Sequence, residues 1–159
     1  GTEFIGNVSD ALPGKEFFYL DVSAPFNTQK LSWQDFSSVN PIPPHIGAAS
    51  VKGGANNSTL FLYVVSSVYT FDTQSNIWGI PETTGAPPSI KLGVRPAIDY
   101  NGLIYIFGGL FGTLYTNDMF ALDSINLNWK KVSSINAPSP RAQFGAVLLP
   151  NNNILYMGM

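Results

Sequence analysis

The sequence predicts an all-β protein built from a repeated unit of four short strands. Short apolar runs rich in aromatic and β-branched residues alternate with clusters drawn from 15 Gly and 12 Pro, and no long stretch has helical periodicity. An aromatic residue followed within two positions by Asp recurs at intervals of 51 residues, at Asp21, Asp72 and Asp123. Four strands in a repeat of this length are typical of one blade of a β-propeller.

Twelve strands are predicted, and each is bounded by turn residues. In chain order they are FFYLD (17–21), LSWQDF (31–36), GAASV (47–51), LFLYVV (60–65), VYTFD (68–72), NIWGI (76–80), RPAID (95–99), LIYIFGG (103–109), DMFALD (118–123), LNWKKV (127–132), FGAVLL (144–149) and ILYMGM (154–159). Trp78 and Trp129 each follow the Asp of their repeat by six residues, whereas Trp33 follows by twelve because the segment APFNTQ lengthens that turn. The fixed spacing supports a true structural repeat.

Composition excludes several classes of protein. A chain of 159 residues is long enough for one ordinary domain. The 8 basic residues are scattered and the net charge is −2, so no basic face for nucleic acid is expected. The longest apolar run, at 60–65, is too short for a membrane helix, so no membrane insertion is expected. Only 11% of the residues are charged while Asn, Ser and Thr are abundant, and this composition favours a secreted or cell-surface location over a cytoplasmic one.

Residues that commonly carry catalysis or bind metals are scarce. The chain has no Cys and one His, so multi-His metal sites and thiolate chemistry are not expected. His45 lies beside two Pro residues at a strand start, where a solvated or backbone-bonded imidazole is the expectation. The three Asp of the repeat fall on different blades, so we expect them to cap turns rather than to form a catalytic pair. The sequence therefore predicts no enzyme, no metal and no cofactor.

The most complete repeat resembles the kelch family. It carries a double glycine (Gly108 and Gly109), an aromatic-x-Leu-Asp ending (120–123) and Trp129 six residues later, and PRAQFGAVLL resembles the start of the next repeat. Some positions depart from the family pattern: Ser66 and Ser67 replace the double glycine of the preceding repeat.

The resemblance implies three four-stranded kelch-type blades, which is half of a six-bladed ring. It implies one kelch-repeat domain over residues 1–159, with repeats at approximately 1–65, 66–108 and 109–159 and with the first and last blades split between the chain ends. Glycines after the second strand would let the backbone turn sharply, and Trp33, Trp78 and Trp129 would wedge each blade against its neighbour.

The register of the two ends predicts an assembly. Gly1 and Met159 both align with Gly109, so the first strand pair of the chain supplies the third and fourth strands of one blade. The last pair supplies the first and second strands of another. Three blades leave two open edges, and a homodimer joined head to tail would close a six-bladed ring.

The predicted function is a non-catalytic protein-interaction module or scaffold that binds a peptide or protein on its longer loops, as the resemblance implies. Carbohydrate binding outside the cell is the alternative, because low charge with exposed aromatic residues suits sugar stacking. Candidate ligand-binding residues are Arg141, Gln143, Phe111, Tyr115 and His45. The opposing interpretation is that the loop aromatics pack on neighbouring loops while Arg141 bonds to backbone carbonyls, and the sequence leaves both open.

Overall fold

A computed structural model describes residues 13–25 and 27–158. The predictions made for Gly1 and Met159 lie outside these residues. The described residues contain fifteen strands and a single 3-10 turn at Ser37–Val39, and this confirms the all-β prediction. The chain divides into two units, Gly1–Ile46 and Gly47–Met159.

The first unit contains one antiparallel hairpin made of β1 (Phe18–Leu20) and β2 (Trp33–Asp35). On one face Phe18 contacts Trp33 edge to face, with ring centroids 5.3 Å apart. On the other face Tyr19 stacks on Phe36 at 5.4 Å. Phe18, Tyr19 and Trp33 all remain exposed, so this hairpin carries apolar aromatic surface on both of its faces.

The second unit begins with an antiparallel four-stranded sheet whose strands pair in chain order. Its strands are β3 (Ala49–Gly53), β4 (Thr59–Val64), β5 (Ser67–Asp72) and β6 (Ile77–Gly79). Apolar residues follow one another in β4 and β5, and because successive side chains point to opposite faces, both faces of this sheet carry apolar side chains.

A second sheet follows with the strand order β7-β13-β12-β9-β8. Its strands are β7 (Thr84–Gly85), β8 (Ala97–Ile98), β9 (Leu103–Phe107), β12 (Met119–Asp123) and β13 (Asn128–Val132). Two hairpins complete the unit: β10 (Leu110–Phe111) with β11 (Leu114–Tyr115), and β14 (Gly145–Leu148) with β15 (Ile154–Met157).

All twelve predicted strands correspond to observed strands, with ends shifted by a few residues. The sequence did not predict β7, β10 and β11, because strands of two residues are too short to show a period of two. The segment 110–117, which lies between two predicted strands, contains a small hairpin.

The core of the second unit lies between its two large sheets. Trp129 on β13 is only 3% exposed, and its ring lies edge to face with Tyr63 on β4 at 6.2 Å. Trp129 thus packs one sheet against the next. Trp78 is half-buried and packs on Phe71 of its own sheet at 5.0 Å.

Aspartates at the ends of β5 and β12 close the turns that follow. The Asp72 carboxylate accepts hydrogen bonds from the backbone N–H groups of Ser75 and Gln74 at 2.9 and 2.8 Å. Asp123 accepts from the side chain and the backbone N–H of Asn126. These bonds stabilise the charged carboxylates and lower the pKa of both groups.

A buried ion pair ties the second sheet to the loop before it. Lys91 is 1% exposed, and its Nζ donates to the Gly108 carbonyl at 2.8 Å, to Thr116 Oγ1 at 2.8 Å and to Asp118 Oδ1 at 2.5 Å. Burial raises the pKa of Asp118, but the hydrogen bonds from Lys91 and Thr116 outweigh it, and the pKa lies below its ordinary value. Every donor of the ammonium group therefore has an acceptor, as a buried charge requires.

Replacing Trp129 with Ala should lower the free energy of unfolding by about 3–5 kcal/mol, because the cavity opens between two sheets that cannot fully collapse. Urea denaturation measures this change. Ile80→Ala, at an exposed position, should change it by less than about 0.5 kcal/mol. Equal losses in the two variants would contradict the role of Trp129 between the sheets.

Replacing Asp118 with Asn should lower the free energy of unfolding at pH 7 by about 2 kcal/mol. This is less than the loss of about 3–5 kcal/mol for a fully buried pair, because 29% of the Asp118 side chain is exposed to screening solvent.

The effect should depend on pH in a defined direction. The pKa of Asp118 is lower in the folded protein than its ordinary value of 3.8, so its stabilisation is present above that value and is lost as the pH falls through the folded pKa. The difference between wild type and Asp118→Asn should therefore shrink as the pH falls below about 4. Glu82→Gln removes an exposed carboxylate and is the control; a difference that stays constant with pH would contradict the ion pair.

Candidate functional site

The double glycine organises the loops at one end of the second sheet. Gly108 and Gly109 adopt φ values of +61° and +97°, which side chains disfavour. A Cβ on Gly108 would lie 2.5 Å from the Arg141 carbonyl oxygen, and one on Gly109 would lie 2.6 Å from a methyl carbon of Val94. The Gly109 N–H donates to the same Arg141 carbonyl at 2.8 Å. Only glycine permits this close approach of the three loops.

We call the surface of the second unit formed by residues 86–96, 108–118 and 133–143 the loop face. Its most prominent feature is the β10–β11 hairpin. The base of the hairpin is fixed, because Leu110 exchanges backbone hydrogen bonds with Leu92 at 2.9 and 3.0 Å. Its tip presents apolar side chains to solvent: Phe111, Leu114 and Tyr115 are 49%, 66% and 56% exposed.

The predicted residue Arg141 is bonded locally. Its Nε donates to the Ser139 carbonyl at 3.1 Å, Nη2 donates to Ser139 Oγ at 3.0 Å, and Nη1 donates to the Gly158 carbonyl at 3.2 Å. Two of these three bonds are with backbone carbonyls, as expected if Arg141 bonds to the backbone. They join the segment before β14 to the residue after β15.

The other candidates occupy separate places. Gln143 is exposed and has a φ of +56°, and its backbone N–H donates to the Gly93 carbonyl at 2.7 Å. His45 belongs to the first unit, where its Nδ1 lies 2.8 Å from the Pro43 carbonyl and its backbone pairs with Gly14. The loop face of the second unit thus brings together Phe111, Tyr115, Arg141 and Gln143, whereas the bonds of His45 lie within the first unit.

A cavity of about 130 Å³ opens at one edge of the loop face, between the second sheet and the β14–β15 hairpin. Phe107, Met119 and Tyr156 line it from the strands, and Ser133 and residues 135–138 line it from the loop before β14. The ring of Tyr156 lies 5.3 Å from that of Phe107. Burial, together with the neighbouring Tyr105, raises the pKa of Tyr156 to about 12, so its hydroxyl stays neutral at physiological pH.

The sequence did not indicate this cavity or the Lys91 ion pair. The cavity walls come from three segments far apart in the chain, and Lys91 lies 27 residues from Asp118. The one local signal for the burial of Lys91 is that it lies between two apolar residues, Ile90 and Leu92.

Residues 13–25 and 27–158 contain no group of three His, Asp or Glu side chains placed to hold a metal ion. The carboxylates of Asp72 and Asp123 are engaged in their own turns. Within the same residues, no helix has the length and apolar character needed to cross a membrane.

Comparison with known proteins gives a consistent result. The family described as the KLHDC2/KLHL20/DRC7 Kelch-repeats domain matches residues 14–159. Tip elongation aberrant protein 1 of Schizosaccharomyces pombe is 28% identical over 167 residues, which cover 97% of this chain and 14% of that protein. Human Kelch domain-containing protein 3 is 26% identical over 133 residues, which cover 79% of this chain and 34% of that protein.

One relative has a higher identity to this chain over a shorter segment. The zebrafish (Danio rerio) Rab9 effector protein with kelch motifs is 38% identical over 63 residues, or 39% of this chain and 17% of that protein. The chain thus spans between about a seventh and a third of the length of these relatives. The double glycine, the capped Asp turns and the buried Trp129 lie within the matched residues, and the chain belongs to the kelch-repeat family.

Proposed function

We propose that the chain is a non-catalytic protein-interaction module that binds a peptide or protein segment on its loop face. The observation that carries this proposal is the β10–β11 hairpin, which holds three exposed apolar side chains on a hydrogen-bonded base. A rigid base lowers the conformational entropy lost on binding, and exposed apolar side chains supply area to bury.

The charge distribution around the hairpin fits a peptide better than a charged small molecule. Lys91 is neutralised by Asp118 beneath the surface, and the Arg141 guanidinium is engaged by Ser139 and Gly158. A partner of this surface would therefore be held mainly by apolar contacts and by backbone hydrogen bonds. The name of one relative calls that protein a Rab9 effector, and a protein partner is the class we propose for this chain.

We further propose that two copies join head to tail into a six-bladed ring. The β1–β2 and β14–β15 hairpins are two-stranded sheets, and each complete sheet of the second unit has at least four strands. Two strands of one copy with two of the other would make a blade of the usual size. The loop face would then repeat on the same side of the ring.

A displayed library of random peptides, selected on the wild-type chain, tests the binding proposal. Peptides enriched on wild type should bind the double variant Leu114→Ala/Tyr115→Ala at least about 10-fold more weakly, because the variant removes the apolar tip of the hairpin. The matched control is Tyr100→Ala/Ile125→Ala, which removes a similar exposed pair from the turns at the opposite ends of the strands. Affinity is measured by biolayer interferometry.

The control should bind the enriched peptides as wild type does. Equal binding by the hairpin variant would overturn the placement of the site on the loop face. If no peptide is enriched while a glycan array retains the chain, carbohydrate binding replaces protein binding as the function.

A further inference from the structure

The open cavity beside Tyr156 has a filled counterpart in the core of the second unit. Between the two large sheets, the space beside Tyr63 and Val68 is closed by Leu122 and Trp129, and a cavity of only about 10 Å³ remains. The open cavity has about 130 Å³. The two cavities differ because the outer strands β12 and β13 cover the first one.

The walls of the two cavities occupy equivalent positions in the repeat. Tyr63 pairs with Val68 between β4 and β5, just as Phe107 pairs with Met119 between β9 and β12. Tyr156 precedes Gly158 by two residues, as Ile106 precedes Gly108, and both side chains point toward the preceding sheet. The cavity is therefore the place on the second sheet that an indole from the next blade would fill.

The chain contains a strand pair with the matching side chains. Leu20 lies opposite Trp33 in the β1–β2 hairpin, as Leu122 lies opposite Trp129 between β12 and β13. Leu20 directly precedes Asp21, and Leu122 directly precedes Asp123. Trp129 is 3% exposed, but Trp33 is 53% exposed, so its indole still has apolar surface to bury.

We propose that the cavity lined by Phe107, Met119 and Tyr156 receives Trp33 from a second copy of the chain. This inference rests on the proposed two-copy ring and assigns the residues that join it. In the joined blade β1 of one copy pairs with β15 of the other, and the indole of Trp33 lies against Phe107 as Trp129 lies against Tyr63.

The internal repeat also fixes the register of the joint. Tyr105, three residues before Gly108, lies opposite Ala121, two residues before Asp123. The equivalent positions are Leu155, three residues before Gly158, and Tyr19, two residues before Asp21. Leu155 therefore faces Tyr19 of the second copy. Both residues are exposed in the single chain, and the joint would cover them.

Disulfide trapping tests this register, and the chain suits the method because it has no Cys. Cross-strand neighbours have Cα atoms about 4.5–5.5 Å apart, which is within the range for a disulfide. A mixture of Leu155→Cys and Tyr19→Cys chains should form a covalent heterodimer under mild oxidation. Leu155→Cys mixed with Gln34→Cys, one strand farther away, should not.

The contribution of the indole is measured separately. Sedimentation equilibrium should show a wild-type dimer of about twice 17.2 kDa, and Trp33→Ala should raise its dissociation constant by about 30-fold or more. Tyr100→Ala, at another exposed aromatic residue, should leave the dimer unchanged. Circular dichroism checks that each variant keeps the wild-type fold.

Each outcome has one meaning. A trapped heterodimer and a weakened Trp33→Ala dimer support the assignment. A dimer that is not trapped and does not respond to Trp33→Ala overturns the assignment while leaving the two-copy ring possible through another joint. A wild-type chain that is monomeric at micromolar concentration, or a Leu155→Cys/Tyr19→Cys double variant whose disulfide forms within one chain, overturns both.

Discussion

The burial of a tryptophan between adjacent sheets is the interaction on which the second unit depends. A four-stranded sheet has two apolar faces, and neither face is covered unless another sheet lies against it. The Trp129 side chain projects from its own sheet and contacts Tyr63 on the preceding sheet. Removing apolar surface from water here stabilises a chain that has no Cys for disulfides and in which residues 13–25 and 27–158 form few ion pairs.

Around this apolar interface, polar groups set the geometry of the loops. The buried ammonium of Lys91 links a loop carbonyl, a hydroxyl and a carboxylate within 3 Å. The aspartates at the strand ends bind backbone N–H groups that the ladder does not use. Hydrogen bonds, and not the burial of apolar side chains, hold the base of the β10–β11 hairpin. The loop face can therefore display these side chains to solvent.

Local patterns predicted most of the fold, and non-local contacts account for what they missed. Asp72 and Asp123 signal strand ends because a carboxylate can bond the next turn on its own. Trp129 keeps the same spacing from Asp123 as Trp78 keeps from Asp72, so its place in the repeat can be read from the sequence. The burial of Lys91 cannot be read in this way, because its partner Asp118 is placed by the whole of β9 and the β10–β11 hairpin. Arg141 is marked by its motif position, but its hydrogen bonds to Ser139 and Gly158 depend on a turn and on β15 and could not be read from that position.

The short parallel strand β7 has a consequence for aggregation. Thr84 and Gly85 lie alongside Asn128 and Trp129 at the outer edge of the second sheet, where the Asn128 side chain also binds the Thr84 hydroxyl. A Cβ at Gly85 would collide with the Trp129 carbonyl, so the covering segment sits as close as backbone allows. Edge strands are the usual sites of uncontrolled strand addition. Because β7 already pairs with Asn128 and Trp129, a strand of a foreign chain cannot pair with β13 at these two residues.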